Sequence, residues 1–273
     1  MRVALGFAAA LSVACAATET RAEDASPWQR DSHSAVRLLA GSRSGAVLLG
    51  GIAIQLQPGW KTYWRTPGDS GVPPRFDFSK SENVEAVTVM WPAPMKFDDG
   101  AGGTSLGYKQ QVVLPLRIVA KSADKPVTLR AAISYAVCEK ICIPVDASAE
   151  LAFASVASTE DGALSSALDA VPKPANIGDP NPVTIRDVKR EGKANVIVDV
   201  AAPEAKDVSL FVEGPTPDWA LPVPKLVEHA PPGVKRFSFD LEGLPPGAKP
   251  EGAALKLTLV SGERSYEFNI NLN

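Results

Sequence analysis

The chain has 273 residues, a formal net charge of −3, 22% charged and 45% hydrophobic residues, enough for two domains of ordinary size that each bury a core. No basic run is present and the aromatic residues are not interleaved with lysine or arginine, which excludes a nucleic-acid-binding role. Beyond the N-terminal segment no apolar stretch approaches the roughly 20 residues needed to cross a bilayer.

The first element is a leader. Met1-Arg2, the apolar run Val3 to Ala17 and Thr20-Arg21-Ala22 supply the basic, apolar and small-residue parts of a secretory signal peptide over residues 1–22. Leu11-Ser-Val-Ala-Cys15 approaches a lipoprotein processing site but carries Ser12 where such sites prefer an aliphatic residue. Cleavage after Ala22 is therefore expected to release a free periplasmic protein of a Gram-negative cell, leaving Cys15 without a mature role.

From Val36 onward short strands are punctuated by glycine and proline. Val47 to Leu56, Trp60 to Trp64, Val84 to Trp91, Val112 to Val119, Val127 to Ile133 and Ala149 to Phe153 have the spacing of an all-β sandwich. Thr159 to Val171 breaks the pattern, with Leu164, Leu168 and Val171 on one helical face before Pro172. A second alternating series starts at Val183 and runs through Val196 to Val200, Val208 to Val212, Phe237 to Leu241, Leu255 to Leu259 and Tyr266 to Ile270. The expectation is two immunoglobulin-like β-sandwiches, over 30–156 and 182–273, joined by a linker with a short helix over 157–181.

Cys138 and Cys142 are the only cysteines outside the leader. Four residues along an extended strand span about 13 Å, far beyond the reach of a disulfide, so a bridge requires Glu139-Lys140-Ile141 to bend. A five-residue ring gains only about 2 kcal/mol in the chain-entropy model, which argues against a purely structural staple. Redox exchange, a passive clip on a hairpin and a metal-binding pair all remain open on spacing alone.

Other chemistries have little support. His33 and His229 are the only histidines, and no G-x-S-x-G or H-E-x-x-H pattern is present; both histidines read as surface or loop residues. Asp69 and the pair Asp98-Asp99 read as solvated turn residues. Cys138, Cys142, Met90 and Met95 are soft enough in principle for Cu(I), but no Met-rich or His-rich tract accompanies them.

Gly59-Trp-Lys-Thr-Tyr63-Trp-Arg-Thr-Pro-Gly-Asp-Ser-Gly-Val-Pro-Pro74, Trp91-Pro-Ala-Pro94, Tyr108-Lys-Gln-Gln-Val-Val-Leu-Pro115 and Tyr135-Ala-Val-Cys138-Glu-Lys-Ile-Cys142-Ile-Pro144 resemble, in the same order, the N-terminal periplasmic domain of the DsbD family, and most closely its ScsB-like branch, named for suppression of copper sensitivity. The resemblance covers residues 30 to 155; the second half resembles the extra module of that branch more loosely. It implies an immunoglobulin-like fold and a redox pair, Cys138 and Cys142, either of which could attack. Electrons would come from a membrane thiol reductase through its thioredoxin-like domain and pass to thioredoxin-like periplasmic proteins. Trp60, Tyr63, Asp99, Tyr108, Tyr135 and Pro144 are the expected surround, with no metal and no cofactor.

The chain departs from the family in its closer cysteines and in the absence of transmembrane and thioredoxin-like parts. The shielding aromatics are replaced around Ala101-Gly102-Gly103, so the stretch Lys96 to Leu106 is expected to be an open loop that protects the pair poorly. The reading is a thiol-disulfide relay module; the alternative is a non-catalytic copper-handling or adaptor protein that binds through its β surface and the cysteine pair.

Overall fold

A computed structural model describes residues 23–100, 102–153, 157–192, 194–203, 207–228 and 230–272. The expected signal peptide with Cys15, and His229, lie outside the described residues. The first half contains β1 (Gln29–Arg30), β2 (Ser34–Ser44), β3 (Val47–Leu56), β4 (Lys61–Gly68), β5 (Arg75–Asp77), β6 (Val84–Val89), β7 (Met95–Asp98), β8 (Thr104–Lys109), β9 (Gln111–Ala120), β10 (Val127–Cys138) and β11 (Cys142–Phe153). Helix α1 (Asp161–Asp169) follows, then β12 (Lys173–Ala175), β13 (Thr184–Glu191), β14 (Asn195–Ala201), β15 (Ser209–Glu213), β16 (Lys225–Val227), β17 (Val234–Asp240), β18 (Ala254–Ser261) and β19 (Arg264–Asn271). Among the described residues the protein is all-β apart from this short helix.

In the first half, a sheet in the order β1-β2-β3-β9-β6 packs on a sheet in the order β11-β10-β4-β8-β7, with β5 added beside β10. Alternation drives the packing. Leu114, Leu116 and Ile118 of β9 meet Leu129, Ile133 and Val137 of β10 in one core that also takes the fully buried Trp64. In the second half, sheets β12-β19-β18-β15 and β13-β14-β17-β16 enclose a core containing Val198, Phe237, Leu257 and Phe268.

Three features differ from the sequence expectation. In the expected open loop Lys96 to Leu106, β7 pairs with β8 up to Asp98 opposite Thr104; the apolar residues Phe97 and Leu106 are too few to announce two strands. Lys173–Ala175, inside the expected linker, pairs in parallel with Tyr266–Phe268. The helix packs on the first half, burying Leu164 with Leu39 and Ala53. Gly41 and Gly51 make the room, since a Cβ at either would stand 2.6 or 2.7 Å from Leu164.

The halves also share side chains. On β15, Leu210 and Val212 point into the second core, while Phe211, of opposite parity, enters the first core and meets Trp64 with ring centroids 6.0 Å apart. Beside them, Arg65 holds Glu213 at 2.6 Å and Glu267 at 2.7 Å. Among the described residues no helix is long and apolar enough to cross a membrane.

Candidate active site

The register of β10 and β11 runs without a slip from Val127 opposite Phe153 to Cys138 opposite Cys142. The two cysteines therefore form the last rung of a hairpin, disulfide-bonded with Cα atoms 4.2 Å apart. Glu139-Lys140-Ile141 makes the bend that the spacing requires, with the Glu139 N–H donating to the Ile141 carbonyl at 3.3 Å.

The two sulfurs have different surroundings. Cys138 is 2% exposed, whereas Cys142, on the sheet edge, is exposed. Strand β4 lies on the far side of β10, pairing Thr62 with Val137 and Lys61 with Cys138, and Thr62 Oγ1 donates to the Ala136 carbonyl at 2.9 Å. The next side chain, Tyr63, packs with Ala136 and Cys138. Its hydroxyl donates to Cys138 Sγ at 2.9 Å and lies 3.1 Å from Cys142 Sγ. Gly71, at φ +128°, presses on the other side of the phenol; a Cβ there would come within 2.4 Å of the ring.

Burial raises the Tyr63 pKa, and the Asp99 carboxylate raises it further, because both disfavour a phenolate. Tyr63 thus stays a neutral donor at physiological pH. Asp99 is held in the β7–β8 tip, accepting from the Gly103 N–H at 2.8 Å. On the same sheet face as Cys138, the Lys61 and Lys109 ammonium groups stand 5.4 and 4.8 Å from the centroid of the Phe97 ring.

Of the expected surround, Tyr63 touches both sulfurs and Asp99 acts on Tyr63. Pro144, opposite Ala136, lines a groove of about 420 Å³ beside Cys142. Val72, Pro73, Tyr135 and Val145 supply more of its apolar wall, with Arg75, Ser134 and Asp146 as polar members. Tyr135 is otherwise a core residue whose hydroxyl lies 2.6 Å from Ser34 Oγ. Trp60 stacks on His33 at 3.8 Å between centroids; its neighbour Gly59 lies against the Glu139 carboxylate.

Tyr108 is a correction. It pairs with Thr62, one residue out of phase with Tyr63, so it points into the core and donates to the Pro92 carbonyl at 2.8 Å. The one-residue offset places it on the face opposite the disulfide. Met95, a member of the copper alternative, begins β7 opposite Gly107 and is exposed, while the Met90 N–H donates to the Pro115 carbonyl. The sequence reading missed Gly71 and Val72, which follow β4 and reach the site only through the path of the chain after Gly68, Gly71 against the Tyr63 ring and Val72 in the groove.

Residues 35–154 match the family model described as thiol:disulfide interchange protein DsbD, N-terminal. Over this stretch the chain is similar to the N-terminal domain of that family. The N-terminal periplasmic domain of ScsB from Proteus mirabilis is similar in structure over both halves, with a TM-score of 0.74 at 22% identity, covering 92% of this chain and 99% of that one. A yeast GGA1 GAE domain (9% identity, TM-score 0.26, 46% of this chain and 97% of that one) and a conserved domain protein from Bacillus anthracis (11%, 0.28, 88% and 76%) are too distant to carry argument. No curated protein matches the chain. A DsbD-type N-terminal domain whose hairpin ends in a disulfide supports a thiol-disulfide exchange module.

Proposed function

We propose that the protein is a periplasmic electron relay in which Cys142 exchanges with partners and Cys138 is the internal thiol. The observation that carries this reading is the asymmetry of the rung: an exposed Cys142 at the edge of an apolar groove, and a buried Cys138 receiving the Tyr63 hydrogen bond.

When the pair is reduced by a donor, a donor thiolate attacks Cys142 Sγ, the Cys138–Cys142 bond breaks, and Cys138 departs as a thiolate into the Tyr63 hydrogen bond. A second donor thiolate then attacks the mixed disulfide and releases Cys142. Two electrons have entered the pair, and the donor leaves as a disulfide. Toward an oxidised acceptor the order reverses: Cys142 thiolate attacks, and Cys138 resolves the mixed disulfide. A hydrogen bond to a charged group contributes roughly 1.5–3 kcal/mol, so Tyr63 favours the step in which Cys138 carries charge. The donor of this scheme is the thioredoxin-like part of a membrane thiol reductase, and the acceptors are thioredoxin-like periplasmic proteins.

The test is trapping. A Cys138→Ser variant mixed with an oxidised thioredoxin-like protein lacking its resolving cysteine, activated as a mixed disulfide with a small aromatic thiol, is expected to form a stable intermolecular disulfide through Cys142. Cys142→Ser is expected to trap little. Equal trapping by the two variants would overturn the assignment, and no exchange by either variant or by the wild type would overturn the relay.

A further inference from the structure

We propose that Arg65 is a positioning residue for Tyr63, so that the second half of the chain sets the hydrogen bond offered to the redox sulfurs. The inference rests on the reading above, in which that hydrogen bond favours Cys138 as a leaving group.

Strand β4 is firmly laddered only up to Tyr63. Against β8, Lys61, Thr62 and Tyr63 pair with Lys109, Tyr108 and Gly107, but the next rung is Gly68 with Ser105. The strand advances five residues while its partner advances two, so Trp64 to Pro67 leave the β8 ladder in a wide bulge. Against β10, Lys61 and Thr62 make the only rungs among the described residues. Tyr63 is therefore the last rung before the bulge, and the sheet regains the strand only at Gly68.

Across the bulge the first core holds Trp64, and the second half supplies the remaining anchors. Trp64 packs on Phe211, and the Arg65 guanidinium lies 4.7 Å from the Trp64 ring centroid. Arg65 Nε and Nη2 donate to the two oxygens of Glu213 at 2.8 and 2.6 Å, and Nη2 also reaches Glu267 at 2.7 Å. Thr66 Oγ1 donates to Glu213 at 2.9 Å. Lys256 adds its charge to Glu267 at 3.3 Å, so two cations face two carboxylates.

These anchors follow Tyr63 directly in the chain. A bidentate guanidinium fixes direction as well as distance, and the phenol has little slack between Gly71 and Cys138. Hydrogen bonds weaken steeply with lost alignment. Releasing the Arg65 clamp lets the bulge relax and carries the Tyr63 hydroxyl out of line with Cys138.

The experiment is a double-mutant cycle on the full chain, reading the equilibrium of the disulfide with a glutathione series. Tyr63→Phe is expected to make the disulfide about tenfold harder to reduce, equivalent to about 30 mV for this two-electron couple. Arg65→Met and Glu213→Gln are each expected to shift the same equilibrium three- to tenfold in that direction, and Arg65→Lys by less. In the Tyr63→Phe background, the Arg65 and Glu213 effects should vanish.

A Tyr63→Phe shift with no shift in a folded Arg65→Met protein would overturn the inference while leaving the reading of Tyr63 intact. An Arg65 effect that persists without the Tyr63 hydroxyl would overturn it too, since Arg65 would then act by another route. No shift in Tyr63→Phe would instead sink the reading on which it rests. Should Arg65→Met fail to fold because the carboxylates lose their partner, the variant combining it with Glu213→Gln removes the clamp while Glu267 keeps Lys256, and the same outcomes decide.

Discussion

Strands β10 and β11 are the two arms of one hairpin, yet they end in opposite environments. From Tyr135 to Cys138 every residue of β10 is buried, because Tyr135 and Val137 face the main core while Ala136 and Cys138 lie under Tyr63. Across the same rungs, β11 leaves Cys142 and Pro144 exposed. The difference is one of position in the sheet: β10 has neighbours on both sides, and β11 is an edge. A disulfide on the last rung of such a hairpin joins the interior to the surface, and its two sulfurs have distinct surroundings without any difference in covalent chemistry.

The comparison breaks most severely if Tyr63 is pushed off Cys138. Gly71→Ala places a methyl within 2.4 Å of the phenol, at a backbone angle that L side chains rarely adopt. Overpacking and backbone strain each cost roughly 1–3 kcal/mol, so a loss of about 2–4 kcal/mol is expected in chemical denaturation. In the reduced wild type, Cys142 should alkylate far faster than Cys138; in Gly71→Ala the two rates should converge. A variant as stable as wild type with the rates still apart would show that the 68–72 segment does not press Tyr63 into place.

A smaller effect comes from the ionisation of Tyr63. Its pKa lies above 10.0 in the folded state, through burial first and then Asp99. The folded state holds the phenol proton more tightly than the unfolded chain, so this contribution to stability is full below pH 10.0 and is lost as pH rises through the folded value. The redox consequence has the same sign: a phenolate cannot donate to the Cys138 thiolate and repels it. The roughly tenfold gap in glutathione equilibrium between wild type and Tyr63→Phe, from a hydrogen bond worth roughly 1.5–3 kcal/mol, should hold wherever Cys138 is a thiolate and the phenol keeps its proton, and close as pH rises through the raised Tyr63 value. A gap that closed near neutral pH would show that Tyr63 ionises there.

Much of this was legible in the sequence, for a definite reason. Strands with one wet face, such as Asn195–Ala201 and Ala254–Ser261, carry the alternation that identifies them, and the cysteine spacing demanded a bend at Glu139-Lys140-Ile141. Met95–Asp98 and Thr104–Lys109 were missed because a hairpin of four- and six-residue strands around a glycine-rich tip offers almost no period to read. Phe211 looked like the polar-side position of its strand, and it is apolar because the other half covers it. Register decided the site residues. Tyr63 and Tyr108 both came forward as aromatics beside the pair, but their pairing places one on the disulfide and the other in the core. Side-chain pairs that depend on distant strands, Arg65 with Glu213 above all, leave no local pattern.

The smallest expected effect concerns the exposed arm and separates docking from chemistry. Ile141 is 69% exposed at the bend directly before Cys142, and Val72, 54% exposed, lines the groove on which Cys142 opens. Large apolar side chains held in water next to a reactive sulfur fit a surface that a protein partner covers. Burying such a side chain fully yields roughly 1.5–3 kcal/mol, and partial cover at an interface rim yields less. Ile141→Ser is therefore expected to slow exchange with a thioredoxin-like protein by about two- to fivefold. Its rate with dithiothreitol should not change, because a small reductant needs the sulfur and not the surface. Stability should stay within about 0.5 kcal/mol, as for exposed positions generally. The measurement is the ratio of the two rates in wild type and variant; an equal slowing with protein and small thiol would mean that Ile141 acts on the hairpin itself, and the exposed arm would lose its claim to be the docking side.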